Sequence, residues 1–254
     1  MKKIIQSLTA MLLLISSTTF AQAGNEKLTT VTETRELSEF TSIEISGRFA
    51  VTLYHSAKPE VSVTAADKYI EDVETVVERG VLKVNMLNLI GSENVSVIDG
   101  VKIKYSDYLL RKPIEVKIGI NKLNILNLAG VSNVAMKEVL NTDMFYLSVG
   151  DASKANLNLN ISDKLDVYMA GSSRVELKGN AKKMEAAIHG ASSLTAGNLK
   201  LKDTEIELSG ASRAEIHSTK SLATTLKGAT KLQCTGSPQI IKQDVSIGSS
   251  LIIK

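Results

Sequence analysis

The sequence predicts an all-β chain: a right-handed parallel β-helix, or solenoid, preceded by a less regular β-rich N-terminal region. Three observations lead there. First, a glycine followed by small polar residues recurs seven times, at Gly130, Gly150, Gly171, Gly190, Gly210, Gly228 and Gly248. The interval stays near twenty residues, and a fixed period of that size is the mark of a solenoid. Second, the residues before each bend alternate. Leu165, Val167 and Met169, or Met184, Ala186 and Ile188, are apolar, whereas Asp166 and Glu185 between them are charged. Period two means strands with one buried face. Third, aromatics make up only 4% of the chain and tryptophan is absent. A narrow core of stacked Val, Ile, Leu and small residues has little room for large rings.

Residues 1–23 read as a secretory leader. Lys2 and Lys3 supply the positive start, Ile4–Ile15 the apolar run, and Ala21-Gln22-Ala23 an A-x-A exit. The apolar run is too short for a transmembrane span, and no later segment reaches that length. No cysteine follows the run, so a lipid anchor by the lipoprotein route is not expected.

Residues 24–122 form the irregular β-rich part, which covers one solenoid end and hides strand edges that invite aggregation. Strands are expected at 42–45, 50–54, 60–64, 74–77, 81–86 and 114–118, with a helical turn within 67–72 and a tight turn at Glu78-Arg79-Gly80. Gly47 and Gly119 look like irregular early bends. Residues 123–254 form the repeat, with about seven coils. Each coil reads as a strand, a glycine bend, a second strand and a polar turn such as Gly179-Asn180-Ala181-Lys182. Glycine is required where the chain turns sharply, because it reaches backbone angles closed to residues with a Cβ. The small residues after it, such as Ser172-Ser173 and Ala211-Ser212, fit the inside of a corner. Val245 and Ile247 fall out of step before Gly248, so 239–254 reads as an atypical last coil or cap.

Three segments carry a family resemblance: Phe40-Thr41-Ser42-Ile43-Glu44-Ile45-Ser46-Gly47-Arg48-Phe49-Ala50-Val51-Thr52-Leu53; Pro59-Glu60-Val61-Ser62-Val63-Thr64-Ala65-Ala66-Asp67 with Val77-Glu78-Arg79-Gly80-Val81-Leu82-Lys83-Val84; and the ladder of Gly-Ala-Ser bends. Together, in this order, they resemble the putative auto-transporter adhesin, head GIN domain proteins of Gram-negative envelopes. The resemblance implies an exported β-helical protein. It supplies no catalytic residue, and this sequence shows no membrane β-barrel translocator of its own.

Removing the leader lowers the formal charge from +3 to +1. No basic stripe interleaves with aromatics, which argues against nucleic acid as a partner. Cys234 is the lone cysteine, so no internal disulfide forms. It falls in the apolar column of Met136, Leu177, Ala196 and Ile216, six residues after the bend, which places it in the core. His55, His189 and His217 occupy unrelated positions, and no transition-metal spacing occurs. Glu185, Glu205 and Glu207, with Glu176 and Glu215, are the best candidates for carboxylate chemistry. They read as a solvated face broken by Lys182, Lys183, Lys200 and Lys202. Bend serines have no histidine at repeat spacing and do not form a nucleophile elbow. No catalytic residue, metal ligand or cofactor is therefore assigned.

Three residues after the bends, Asn133, Ser153, Arg174, Ser193, Arg213 and Lys231 form a polar ridge. Arg174, Arg213 and Lys231 are its candidate partner contacts. The function read from this is a non-enzymatic, adhesin-like envelope module that binds a glycan or an envelope or host protein, in the periplasm, at the outer membrane or on the cell surface. A glycan-processing lyase or hydrolase is the alternative by fold analogy. A structural or regulatory periplasmic module is the third reading.

Overall fold

The computed structural model describes residues 29–87, 95–98, 101–104 and 114–254; the predicted leader at 1–23 lies outside them. The chain opens with β1 (Thr30–Glu36), β2 (Ser42–Gly47), β3 (Phe49–His55) and β4 (Glu60–Ala66). One helical turn, α1 (Asp67–Ile70), leads to β5 (Val73–Glu78) and β6 (Val81–Met86). Among the described residues β7 (Val95–Ile98) and β8 (Val101–Lys104) pair only with each other. β9 (Ile114–Ile120) and β10 (Ile125–Gly130) enter the repeat. Its coils are β11 (Asn133–Val149), β12 (Lys154–Met169), β13 (Arg174–Ile188), β14 (Ser193–Gly210) and β15 (Arg213–Gly228). β16 (Lys231–Thr235), β17 (Gln239–Val245) and β18 (Ser250–Ile253) end it.

β10 to β18 stack in parallel, each residue above its counterpart one coil earlier: Val149, Met169 and Ile188 form one column. The result is a β-solenoid of about six turns. The sequence reading of about seven coils counts one for each of the seven bend glycines. The polar turn expected at 179–182 is also not a break. β13 runs unbroken from Arg174 to Ile188, and the corner is taken by register shifts such as that between Ile161 and Lys164. Such irregularities bend a strand without ending its ladder.

The alternating apolar positions all point inward. Val175, Leu177, Met184 and Ile188 are each 0% exposed. Full burial of one such side chain stabilises the fold by about 1.5–3 kcal/mol. Cys234 belongs to this interior and is fully buried. Burial in the apolar column pushes its thiol pKa up.

Corner geometry accounts for the glycine ladder. Gly130, Gly171, Gly190, Gly210, Gly228 and Gly248 have φ between +76° and +93°. A Cβ on Gly210 would lie 2.6 Å from the carbonyl oxygen of Gly190 in the preceding coil. The neighbouring backbone therefore excludes a side chain even before φ is considered. Two residues after the corner position, which in the Gly150 coil is Asp151, Ser132, Ser153, Ser173, Ser192, Ser212 and Thr230 are buried inside the corner. Ser173 Oγ donates to Ser192 Oγ across one coil at 3.1 Å.

Two positions depart from the expected ladder. Gly150 is not in the left-handed region; Asp151, at φ +56°, holds that place. The interval from Gly130 is one residue longer here, so the slot moves on by one. Aspartate is among the few residues that tolerate it. Its Oδ2 accepts the Gly130 N–H at 2.7 Å. Gly47, read from the sequence as an irregular early bend, is the first rung of the ladder: its φ of +142° departs from the later bends, and a Cβ on Gly130 would meet its carbonyl oxygen at 2.5 Å.

The N-terminal end finishes in antiparallel strands. β5 covers β6, which stacks on β2. β1 covers β4, which pairs antiparallel with β9. Arg35 ties these layers together: its guanidinium donates to the carbonyls of Val73 and Ile70 and to Thr75 Oγ1. Tyr54 donates its hydroxyl to Glu60 Oε1 at 2.8 Å, and burial with that carboxylate pushes its pKa up to about 12.

Candidate functional site

Each coil presents two outward faces, one before and one after the bend. On the face before it, the rows run across coils. One reads Met144, Lys164, Lys183, Asp203 and Ser221; the next reads Tyr146, Asp166, Glu185, Glu205, Ala223 and Lys242. A third reads Ser148, Tyr168, Ala187, Glu207, Thr225 and Asp244. Small residues at Ala187 and Ala223, flanked by long ones, leave a concavity of about 370 Å³. Tyr146, Tyr168, Glu185, Glu205 and Glu207 line it.

Two tyrosines in a chain so poor in aromatics stand open to solvent here. Tyr146 is 41% and Tyr168 42% exposed. The rings sit on adjacent coils, offset by one row. His189, on the coil after Tyr168, approaches its ring with centroids 5.6 Å apart at a tilt of 56°. The His189 imidazole is held in turn by Nδ1 against Ser209 Oγ at 2.7 Å.

The carboxylates divide into engaged and available groups. Lys164 bridges Asp166 at 3.0 Å and Glu185 at 2.7 Å, and Lys183 reaches Glu185 at 2.5 Å. Hydrogen bonds from Lys164 and Lys183 hold the Glu185 carboxyl below its ordinary pKa. The same contacts raise both lysines. Asp203 is lowered chiefly by the Ser221 hydroxyl, 2.6 Å away. Glu205 has no ion pair among the described residues, and Glu207 is only 4.0 Å from Lys227. Glu185 and Glu205 are direct neighbours on adjacent strands, but the lysines offset the repulsion.

Beyond the bend the structure corrects the expected ridge. Its row is Asn133, Lys154, Arg174, Ser193, Arg213, Lys231 and Ser250. Ser153 leaves it: the shift that put Asp151 in the bend turns Ser153 into the corner, where it is 0% exposed. Lys154, Arg174, Arg213 and Lys231 are exposed, and none forms an ion pair among the described residues. The histidines do not converge. His55 Nε2 contacts the Val139 carbonyl, and His217 Nδ1 contacts Thr235 Oγ1. No cluster able to hold a metal occurs among the described residues. Glu176 binds Lys178 on the face beyond the bend, away from Glu185. Tyr146 and Tyr168 were not singled out by the sequence. The available signal was their parity: both alternate with inward residues, so an aromatic there faces water.

The chain belongs to a known family: residues 39–238 match the model described as putative auto-transporter adhesin, head GIN domain. Among solved structures, it resembles a putative adhesin from Bacteroides fragilis, with TM-score 0.71 and 20% identity over 89% of this chain and 93% of that one. A putative adhesin from Parabacteroides merdae gives TM-score 0.66 and 16% identity over 89% and 96%. A putative lipid binding protein from Parabacteroides distasonis gives 0.63 and 17% over 91% and 98%. No curated protein matches the chain. Among the described residues no helix is long and apolar enough to cross a membrane.

Proposed function

We propose, from membership of this adhesin family, that the protein is a non-enzymatic, exported or surface-located module that binds a glycan on the concave face before the bend. One observation carries the reading. Tyr146 and Tyr168 lie exposed and line one shallow concavity with Glu205 and Glu207, which stand two to three coils further on. Sugar rings offer C–H faces that pack on aromatic rings and hydroxyls that donate to carboxylates, and this surface supplies both. Binding sites commonly combine aromatic walls with a few polar groups in this way.

Glu185 does not fit the role of a hydrolytic general acid. A glycosidase needs a general acid with a raised pKa. Glu185, at the centre of the carboxylate row, is held low by two lysines. The row of Lys154, Arg174, Arg213 and Lys231 supports a second reading, contact with an anionic glycan beyond the bend, because its charges are uncommitted.

Salt separates the two. Retention of the purified protein on an array of neutral and anionic oligosaccharides is measured at low and high ionic strength. Stacking on the tyrosines predicts neutral ligands retained at high salt. Binding restricted to anionic ligands and lost at high salt would transfer the function to the basic row. Loss of binding to every oligosaccharide would remove the glycan reading.

A further inference from the structure

The two solenoid ends differ in strand direction. At the N-terminal end β1 and β5 run antiparallel to their neighbours β4 and β6, whereas at the C-terminal end β17 and β18 run parallel to β15 and β16 and, among the described residues, pair with no other strand. The last coil therefore ends in open strand edges, the feature that natural sheets usually blunt or pair. Apolar side chains gather there: Ile241 is 63%, Ile253 42% and Ile247 103% exposed. The interior column also changes character. Thr224 sits above Ile206, buried, and its Oγ1 has no hydrogen-bond partner. Gln243 follows it on β17 and is exposed.

We propose that this end docks a second copy of the chain, by antiparallel pairing of the two β17 strands about a two-fold axis through Gln243. Three features fit that occupant. The Ser246 N–H bonds back to the Leu226 carbonyl. Backbone groups alternate in direction along a strand, so those of Asp244 also face β15, and those of Gln243 and Val245 face the free edge. Two Gln243 residues can then exchange hydrogen bonds as a paired rung of an antiparallel ladder. In that register Lys242 of one copy stands opposite Asp244 of the other, twice over. Both point to the outer face, where Lys242 follows Ala223 and Asp244 follows Thr225. Opposite charges in direct cross-strand positions stabilise a pair, and like charges destabilise it. A two-fold contact requires such self-complementarity. The same pairing brings a second Gln243 carboxamide over the end of the column that holds the Thr224 hydroxyl, and gives Ile241 an apolar neighbour.

Sedimentation velocity over a concentration series tests this. The unaltered protein is expected to show a monomer–dimer equilibrium. Lys242→Asp alone, or Asp244→Lys alone, should weaken self-association at least about tenfold, since each sets like charges opposite each other twice. An equimolar mixture of these two variants should regain a one-to-one complex. Gln243→Pro removes an N–H that serves the free edge but not the β15 ladder. It should abolish dimers while far-UV circular dichroism and Tm stay unchanged. A protein that is monomeric at every concentration would overturn the proposal. So would dimers indifferent to the single charge changes, or a mixture of the two variants that fails to associate.

Discussion

Along the corner, successive coils carry Gly130, Asp151, Gly171, Gly190, Gly210 and Gly228. Three residues earlier in each coil, on the concave face, the row from Asp151 onward reads Ser148, Tyr168, Ala187, Glu207 and Thr225. The backbone spacing is the same and the chemistry is opposite. At the corner, the carbonyl of one coil occupies the space of a side chain on the next, so glycine recurs wherever a left-handed φ and that approach coincide. On the face, side chains project outward and no backbone of the next coil occupies their space. The fold sets the first row, and the second is free to carry recognition.

The largest effect should come from Gly210→Ala, which adds a Cβ at φ +79° and 2.6 Å from the Gly190 carbonyl oxygen. A loss of about 3 kcal/mol, or a Tm fall of roughly 10 °C, is expected by calorimetry. Gly248→Ala is the milder case at the last rung, where the nearest atom is 3.3 Å away; about 1 kcal/mol is expected. Equal losses at the two sites would break the claim that stacking, rather than φ alone, enforces the ladder. Asp151→Gly sharpens it further. Relief at φ +56° offsets the lost hydrogen bond to Gly130, and stability should move by less than about 1 kcal/mol.

Smaller still is the effect of pH on the face. Glu185 has a folded pKa below its ordinary value because Lys164 and Lys183 hydrogen-bond to the carboxylate. The stabilisation is thus present above the ordinary carboxyl pKa and disappears as pH falls through the lowered one. The pairs are solvent-exposed at 36% for Glu185, so the loss on acidification should stay under about 1 kcal/mol. Glu185→Gln should flatten that part of the stability curve measured by urea titration between neutral and acid pH.

The corner was legible in the sequence because its constraint is local and repeats. Alternation placed Leu165, Val167 and Met169 inside, and register placed Cys234 among them. Gly150 misled because a one-residue insertion moves the slot without removing the glycine. The same insertion hid Lys154 behind Ser153 in the basic row. Gly47 was recognisable as a bend but not as a rung of the ladder, because more than 80 residues separate it from Gly130 and no period marks it. The concave face was half legible. Glu185 and Glu205 each stand five residues before a bend glycine and so fall in one column, but the lysines that bridge the carboxylates and the tyrosines on the same face meet them only when coils stack.

The two faces give the most direct test of the central claim. Oligosaccharide affinity is measured by calorimetric titration for the unaltered protein, for Tyr146→Ala with Tyr168→Ala, and for Arg174→Glu with Arg213→Glu. All four sites are exposed, so the Tm of each variant should stay within a few degrees of the original. The account predicts at least about a tenfold loss for the tyrosine pair and little change for the arginine pair. Full affinity without the tyrosines, with loss on reversing the arginines, would contradict it and place recognition on the other side of the bend.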